Sequence, residues 1–246
     1  MRYNVDAVKF SWRRSLTTVS YVSLGCPKAL VDSEHIVTAL ADEEFSVVGE
    51  HESAGVVVVN TCGFINQAKA ESYAAIEAAI ENDQEVVVTG CLGVEKESLR
   101  DRFPSLRFVS GPGQTTEVVN AVKHLSQKGV ASLLNDRPYG SESGNRVLLT
   151  PDHYAYLKIA EGCNHKCTFC VIPSMRGPLE SREVRDILSE AEALAKNGVK
   201  ELMLIAQDLS AYGLDNHYGA NSNEQAGLRE DIFLLCDELS SILPWV

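Results

Sequence analysis

Residues 55–63 read GVVVVNTCG. Four consecutive valines favour a strand, because branching at Cβ stiffens the side chain and suits a pleated surface. The valines do not alternate with polar residues, so the strand is expected to be buried on both faces, as in a parallel sheet covered by helices. The run closes on a cysteine, Cys62, with Gly63 beside it. Working outward, the same form recurs in TVSYVSLGC (18–26), EVVVTGC (85–91) and, without a cysteine, LRFVSG (106–111).

Helical patterns separate these runs: VDSEHIVTALADE (31–43), QAKAESYAAIEAAIEN (67–82), EKESLRDRF (95–103) and QTTEVVNAVKHL (114–125). In the first, Ile36, Ala39 and Leu40 fall on one face at the i, i+3, i+4 spacing of an amphipathic helix. Strands alternating with helices predict an open parallel βα sheet over residues 18–125. Residues 1–17 read as an N-terminal tail. Residues 126–152, with the aperiodic stretch NDRPYGSESGN, read as a linker.

A second βα series is expected over 153–246. It opens with the strand YAYLKIAEG (154–162), followed by a helix from about Ser181 to Asn197 whose apolar stripe is Ile187, Leu188, Ala191, Leu194 and Ala195. The strand KELMLIAQD (200–208), a long polar loop and the helix LREDIFLLCDELSSIL (228–243) complete it. Two βα units do not close a barrel, so this region reads as the first part of a larger one, with a sheet edge that needs cover.

Composition narrows the function. The formal net charge of −12 offers no broad attraction to phosphate backbones, so direct nucleic-acid binding is not expected. No apolar run approaches the roughly 20 residues that span a bilayer, and residues 1–18 lack the apolar core of an export signal. Seven cysteines without such a signal suit a reducing, cytoplasmic setting, where clustered cysteines bind metal or do chemistry. Cys236 falls in the apolar pattern of the last helix and reads as core.

Three of the seven lie together in EGCNHKCTFCVIPSMRG (161–177) as Cys163, Cys167 and Cys170, spaced C-x3-C-x2-C. They can be small buried hydrophobes, a zinc site completed by His165, or three ligands of an iron–sulfur cluster. A polar loop argues against the first, and His165 between the cysteines makes a cramped zinc wrap. In the third, a four-iron cubane keeps one iron free for a small chelator, as catalytic sites keep an open position; S-adenosylmethionine is such a chelator. Cys26, Cys62 and Cys91 are the second group. Each follows a predicted parallel strand and has a glycine beside it, Gly25, Gly63 or Gly90, and the C-terminal edge of such a sheet is where α/β proteins place ligands. Taken singly they read as ordinary core or loop cysteines; together they are candidate ligands of a second cluster.

CNHKCTFC (163–170) resembles the signature loop of the radical S-adenosylmethionine (radical SAM) enzymes, in which a cluster delivers one electron to the sulfonium and a 5′-deoxyadenosyl radical abstracts hydrogen. The resemblance implies a full or partial βα barrel whose first strand precedes the loop. Two cysteine trios in this order resemble the methylthiotransferase branch, which inserts sulfur and a methyl group at a C–H bond. It implies two 4Fe–4S clusters, an auxiliary one on Cys26, Cys62 and Cys91 and a catalytic one on Cys163, Cys167 and Cys170.

SLGCPKALVDSE, NTCGFI, CTFCVIPSMRG and AQDLSAYG look most like the ribosomal-protein members of the branch, whose substrate is an aspartate β-carbon of small-subunit protein S-twelve. The implied partners are that protein or the small ribosomal subunit, and an electron donor; no membrane is implied. The alternatives are a tRNA methylthiotransferase and an inactive iron–sulfur scaffold. The family pattern continues through further barrel strands and a β-rich TRAM domain, so a chain ending at Val246 reads as C-terminally truncated. Arg176, Gln207 and Asp208 are candidate cofactor-binding residues: an arginine fork suits a carboxylate, and the other two end a barrel strand, where such folds place functional groups. Tyr212, Asn60 and Thr61 are weaker candidates, the last two by hydrogen bonding near Cys62.

Overall fold

The structure is a computed structural model that describes residues 2–3, 17–49, 54–126, 146–215 and 231–246. The chain divides into two compact units, Met1–Gly140 and Ser141–Val246. Most of the expected tail, residues 127–145 of the expected linker and the polar loop over 216–230 lie outside the described residues.

The first unit contains β1 (Arg2–Tyr3), β2 (Thr18–Leu24), α1 (Pro27–Asp42), β3 (Ser46–Val48), β4 (Val56–Thr61), α2 (Asn66–Glu81), β5 (Glu85–Gly90), a 3₁₀ turn (Cys91–Val94), α3 (Lys96–Arg102), β6 (Phe108–Val109) and α4 (Thr115–Leu125). The strands form one sheet in the order β1-β2-β4-β5-β6, with β3 also on β2. β2, β4, β5 and β6 run parallel, in register Val58 to Tyr21 and to Val87. Every residue of β4 is buried. Val57 and Val59 pack with Val22, Leu24, Val86, Val88, Ile76 and Leu99 in one cluster, which explains the unbroken valine run.

Two departures from the sequence reading concern β2. Arg2 and Tyr3, expected in a tail, pair antiparallel with Leu24 and Ser23. The unforeseen β3 pairs parallel with Thr18–Ser20. The sheet is therefore parallel at its centre and mixed at this edge, where two short strands share β2. Strands of two or three residues are too short to show a period.

The second unit contains β7 (Tyr154–Lys158), β8 (Ala160–Glu161), α5 (Ile172–Arg176), β9 (Glu180–Ser181), α6 (Val184–Lys196), β10 (Glu201–Ile205) and α7 (Ile232–Ile242). β7 and β10 pair in parallel with α6 as the crossover, the expected start of a βα barrel. Ile187, Ala191 and Leu194 of α6 are fully buried against Leu157, Leu202, Leu235 and Leu239. Trp245 forms a parallel bridge to Glu201, on the edge of β10. The antiparallel pair β8–β9, Ala160 to Ser181 and Glu161 to Glu180, was not foreseen; it closes the base of the cysteine loop. Among the described residues no helix is long and apolar enough to cross a membrane.

Candidate functional site

The N-terminal thiols stand on three neighbouring strand ends. Cys26 lies just beyond β2 and is the N-cap of α1, whose first position is Pro27. Proline suits that position because its missing N–H would have no helical partner. Cys62 follows β4 directly, and Cys91 follows β5 and opens the 3₁₀ turn. Because β2, β4 and β5 are adjacent and parallel, all three cysteines leave the same edge of the sheet.

The loops also touch. A Cβ placed on Gly25 would stand 3.3 Å from the Cys62 Cβ and 3.7 Å from its Sγ. One placed on Gly63 would stand 2.9 Å from the Leu92 N and 3.0 Å from the Cys91 carbonyl carbon. These glycines therefore let the three cysteine-bearing loops stack on one another. Gly90 has a φ of 92°, in the left-handed region, and a methyl there would overlap Asn60 Oδ1 and the Thr61 carbonyl. None of the three is in a disulfide; Cys26 is exposed, Cys62 half-buried and Cys91 buried.

Two contacts unmarked in the sequence reading hold this arrangement. The Cys62 N–H donates to Ser72 Oγ at 3.0 Å, and the Ser72 hydroxyl donates to the Cys62 carbonyl at 3.0 Å. Lys69, in the first turn of α2, pairs with Glu95 at 2.5 Å and so ties the Cys62 segment to the Cys91 segment. Ser72 shares the buried face of α2 with Ala75, Ile76 and Ala79. A hydroxyl on an otherwise apolar helix face was the available signal.

The second trio sits in a loop with little regular structure. Cys163 donates its N–H to the Gly177 carbonyl at 3.1 Å, and Cys170 to the Cys167 carbonyl at 3.0 Å. The first bond joins the two ends of the loop; the second makes a turn holding two of the thiols. Gly162 has a φ of 73°, and a methyl there would overlap the Pro178 carbonyl, so the loop base admits no side chain at this point. Cys167 is exposed and Cys163 and Cys170 are half-buried.

Glu161 is the hub of this region. Its carboxylate accepts from Arg176 Nη1 at 2.8 Å, from Lys158 Nζ at 3.1 Å and from Gln207 Nε2. The Arg176 side chain is only 4 % exposed. Arg176 does meet a carboxylate, as its fork suggested, and that carboxylate belongs to the chain. Asp208 caps the 3₁₀ turn Leu209–Ala211 through the Ser210 N–H at 3.0 Å and binds His165 Nε2 at 2.7 Å. The Ser210 hydroxyl first, and His165 second, hold its carboxyl below the usual range. Gln207 and Asp208, just past β10, thus fasten the cysteine loop at its base and within its span. His165, weighed as a zinc ligand, instead contacts Asp208. Tyr212 is buried and donates to the Arg182 carbonyl at 2.9 Å. Cys236 is half-buried on α7, and burial raises its thiol above the ordinary value.

Among the described residues, no three His, Cys, Asp or Glu side chains meet closely enough to hold a single metal ion. A cubane makes a different demand. It takes one thiolate per iron, so its ligands surround a volume instead of meeting at a point. Reduced cysteines on stacked loops and on a closed loop fit that demand.

Residues 18–111 match a family model described as Uncharacterized protein family UPF0004. Residues 157–239 match the Radical SAM superfamily. Over residues 157–239 the chain therefore carries a radical SAM domain. Among superfamily members, it is 52 % identical over 230 residues to the ribosomal protein uS12 methylthiotransferase RimO of Pseudomonas putida, covering 93 % of this chain and 51 % of that protein. The Pseudomonas fluorescens protein of the same name is 52 % identical over 231 residues, with the same coverage. The chain spans about half the length of the curated relatives it matches. A solved structure of a radical S-adenosylmethionine methyltransferase, TsrM from Kitasatospora setae, aligns with a TM-score of 0.52 at 17 % identity, covering 79 % of this chain and 48 % of that one. That likeness is one of fold.

Proposed function

We propose that this chain is the cluster-bearing part of a radical SAM methylthiotransferase that places a methylthio group on an aspartate β-carbon of ribosomal protein uS12 in the cytoplasm. The reading rests on one observation: two cysteine trios, one on three stacked strand-end loops and one in a clamped loop. The 52 % identity to uS12 methylthiotransferases over 93 % of the chain supports the substrate.

In this reading Cys26, Cys62 and Cys91 hold an auxiliary 4Fe–4S cluster, and Cys163, Cys167 and Cys170 hold the second. When bound and reduced, the second cluster supplies the electron that cleaves S-adenosylmethionine. The chain's own residues set the stage. Gly162 and the Cys163–Gly177 bond keep the loop ends together. Glu161 draws Arg176, Lys158 and Gln207 to the loop base, and Arg176 and Gln207 would help hold S-adenosylmethionine there. Asp208 orients His165 at the rim. An external one-electron donor is required.

Anaerobic reconstitution followed by iron and sulfide analysis tests the ligand set. About eight irons per chain are expected, four per cubane. With dithionite and S-adenosylmethionine the loaded chain releases 5′-deoxyadenosine, and uS12 gains the mass of one methylthio group in place of hydrogen. One tight zinc without iron refutes the reading. A mass gain on tRNA and none on uS12 refutes the substrate, and iron loading without 5′-deoxyadenosine marks a scaffold.

A further inference from the structure

Asn60 stands two residues before Cys62 and is 1 % exposed. Strand register sets it against Ser23 of β2 and Thr89 of β5. Its Nδ2 leaves the sheet and donates to the Ala29 carbonyl at 2.8 Å and to Ser33 Oγ at 2.8 Å. Both acceptors belong to α1, the helix that Cys26 caps. Ser33 Oγ in turn lies 2.8 Å from Ser23 Oγ, so the helix is tied back to β2 by the same group.

The other end of the amide meets the third segment. Asn60 Oδ1 is buried and accepts no hydrogen bond among the described residues. It occupies the space that a side chain on Gly90 would fill, one residue before Cys91. An unsatisfied buried acceptor is unfavourable, and in a native fold it calls for a local reason. Here the reason is geometric: a single side chain touches the segments that carry Cys26 and Cys91 while being covalently close to Cys62.

We propose that Asn60 is a positioning residue for the auxiliary cluster, holding the Cys26 and Cys91 thiols in place relative to Cys62. The proposal rests on the assignment of those three cysteines as cluster ligands. It differs from a packing role in what it changes. A packing residue alters the stability of the unit; a positioning residue alters the electronic surroundings of whatever the thiols hold.

The full chain carrying Cys163→Ala, Cys167→Ala and Cys170→Ala isolates the auxiliary site. In that background Asn60→Asp replaces the donor facing the Ala29 carbonyl, and Asn60→Ser is too short to reach α1 and Gly90 together. After reconstitution, both variants are expected to shift the electron paramagnetic resonance spectrum and midpoint potential of the reduced cluster. Loss of iron to a chelator should accelerate about tenfold, the usual cost of removing a contact that orients a metal ligand. If Asn60→Asp does not fold, Asn60→Ser carries the test. Unchanged spectrum, potential and chelator resistance overturn the proposal, even if the thermal midpoint falls. In the complementary chain with Cys26→Ala, Cys62→Ala and Cys91→Ala, Asn60→Ser is expected to leave the loop cluster's spectrum unaltered, and a shift there overturns it too. A parent that takes up no iron at the N-terminal trio refutes the ligand assignment itself.

Discussion

The two cysteine trios reach similar ends by opposite means. Cys26, Cys62 and Cys91 are far apart in the chain and are gathered by the order of three parallel strands. Cys163, Cys167 and Cys170 are close in the chain and belong to a loop whose ends are pinned by β8–β9, the Cys163–Gly177 bond and Glu161. The first arrangement is as stable as the sheet beneath it. The second is as stable as a few closures at the loop base.

That contrast can be broken or sharpened. The largest effect is expected for Gly162→Ala, which puts a side chain at a left-handed φ and against the Pro178 carbonyl. Strain and overlap together cost about 3–5 kcal/mol. Iron analysis should show the loop trio emptied and the N-terminal trio still loaded. If both trios empty, the two regions are not independent. Glu161→Gln comes next. It removes the charge facing Arg176, which is nearly fully buried, at a cost of about 2–4 kcal/mol in urea unfolding of the second unit. Ser72→Ala is the counterpart on the other side. It takes away both backbone contacts of Cys62, costs about 1–2 kcal/mol, and should weaken iron retention at the N-terminal trio alone. Lys69→Met removes a partly exposed ion pair and is expected to cost only about 0.2–1 kcal/mol, less at high salt. The smallest effect concerns Cys236. Burial disfavours its thiolate, so at pH 8 iodoacetamide should modify it more slowly than the exposed Cys26 and Cys167 of the metal-free chain, as peptide mass mapping would show.

The same contrast explains what sequence reading reached. Long β-branched runs announce buried strands, so β2, β4, β5 and the position of each N-terminal cysteine were readable without coordinates. The loop trio was readable from its spacing. The supports were not. Ser72 looked like one polar residue in an alanine-rich helix, and its partner Cys62 is reached only by folding. Glu161 meets Arg176 and Gln207, neighbours in space but not in sequence. Glu190 interrupts the apolar face of α6, and it is buried because Arg146 and Arg182 both bind it. A carboxylate on such a face was a signal that could have been used. β1, β3 and β9 were missed because two or three residues carry no periodicity, and β8 was read as the end of a single strand over 154–162.

The way β2, β4 and β5 collect the N-terminal thiols also orders events in time. Bringing together groups so far apart along a disordered chain carries a closure entropy that grows with the logarithm of the separation. Long-range parallel pairing is slow for the same reason. The N-terminal thiols therefore become neighbours only once the sheet has formed, whereas those of 163–170 are neighbours from the moment the chain is made. During synthesis the two trios differ in history as well as in architecture: one waits for the fold, and the other precedes it.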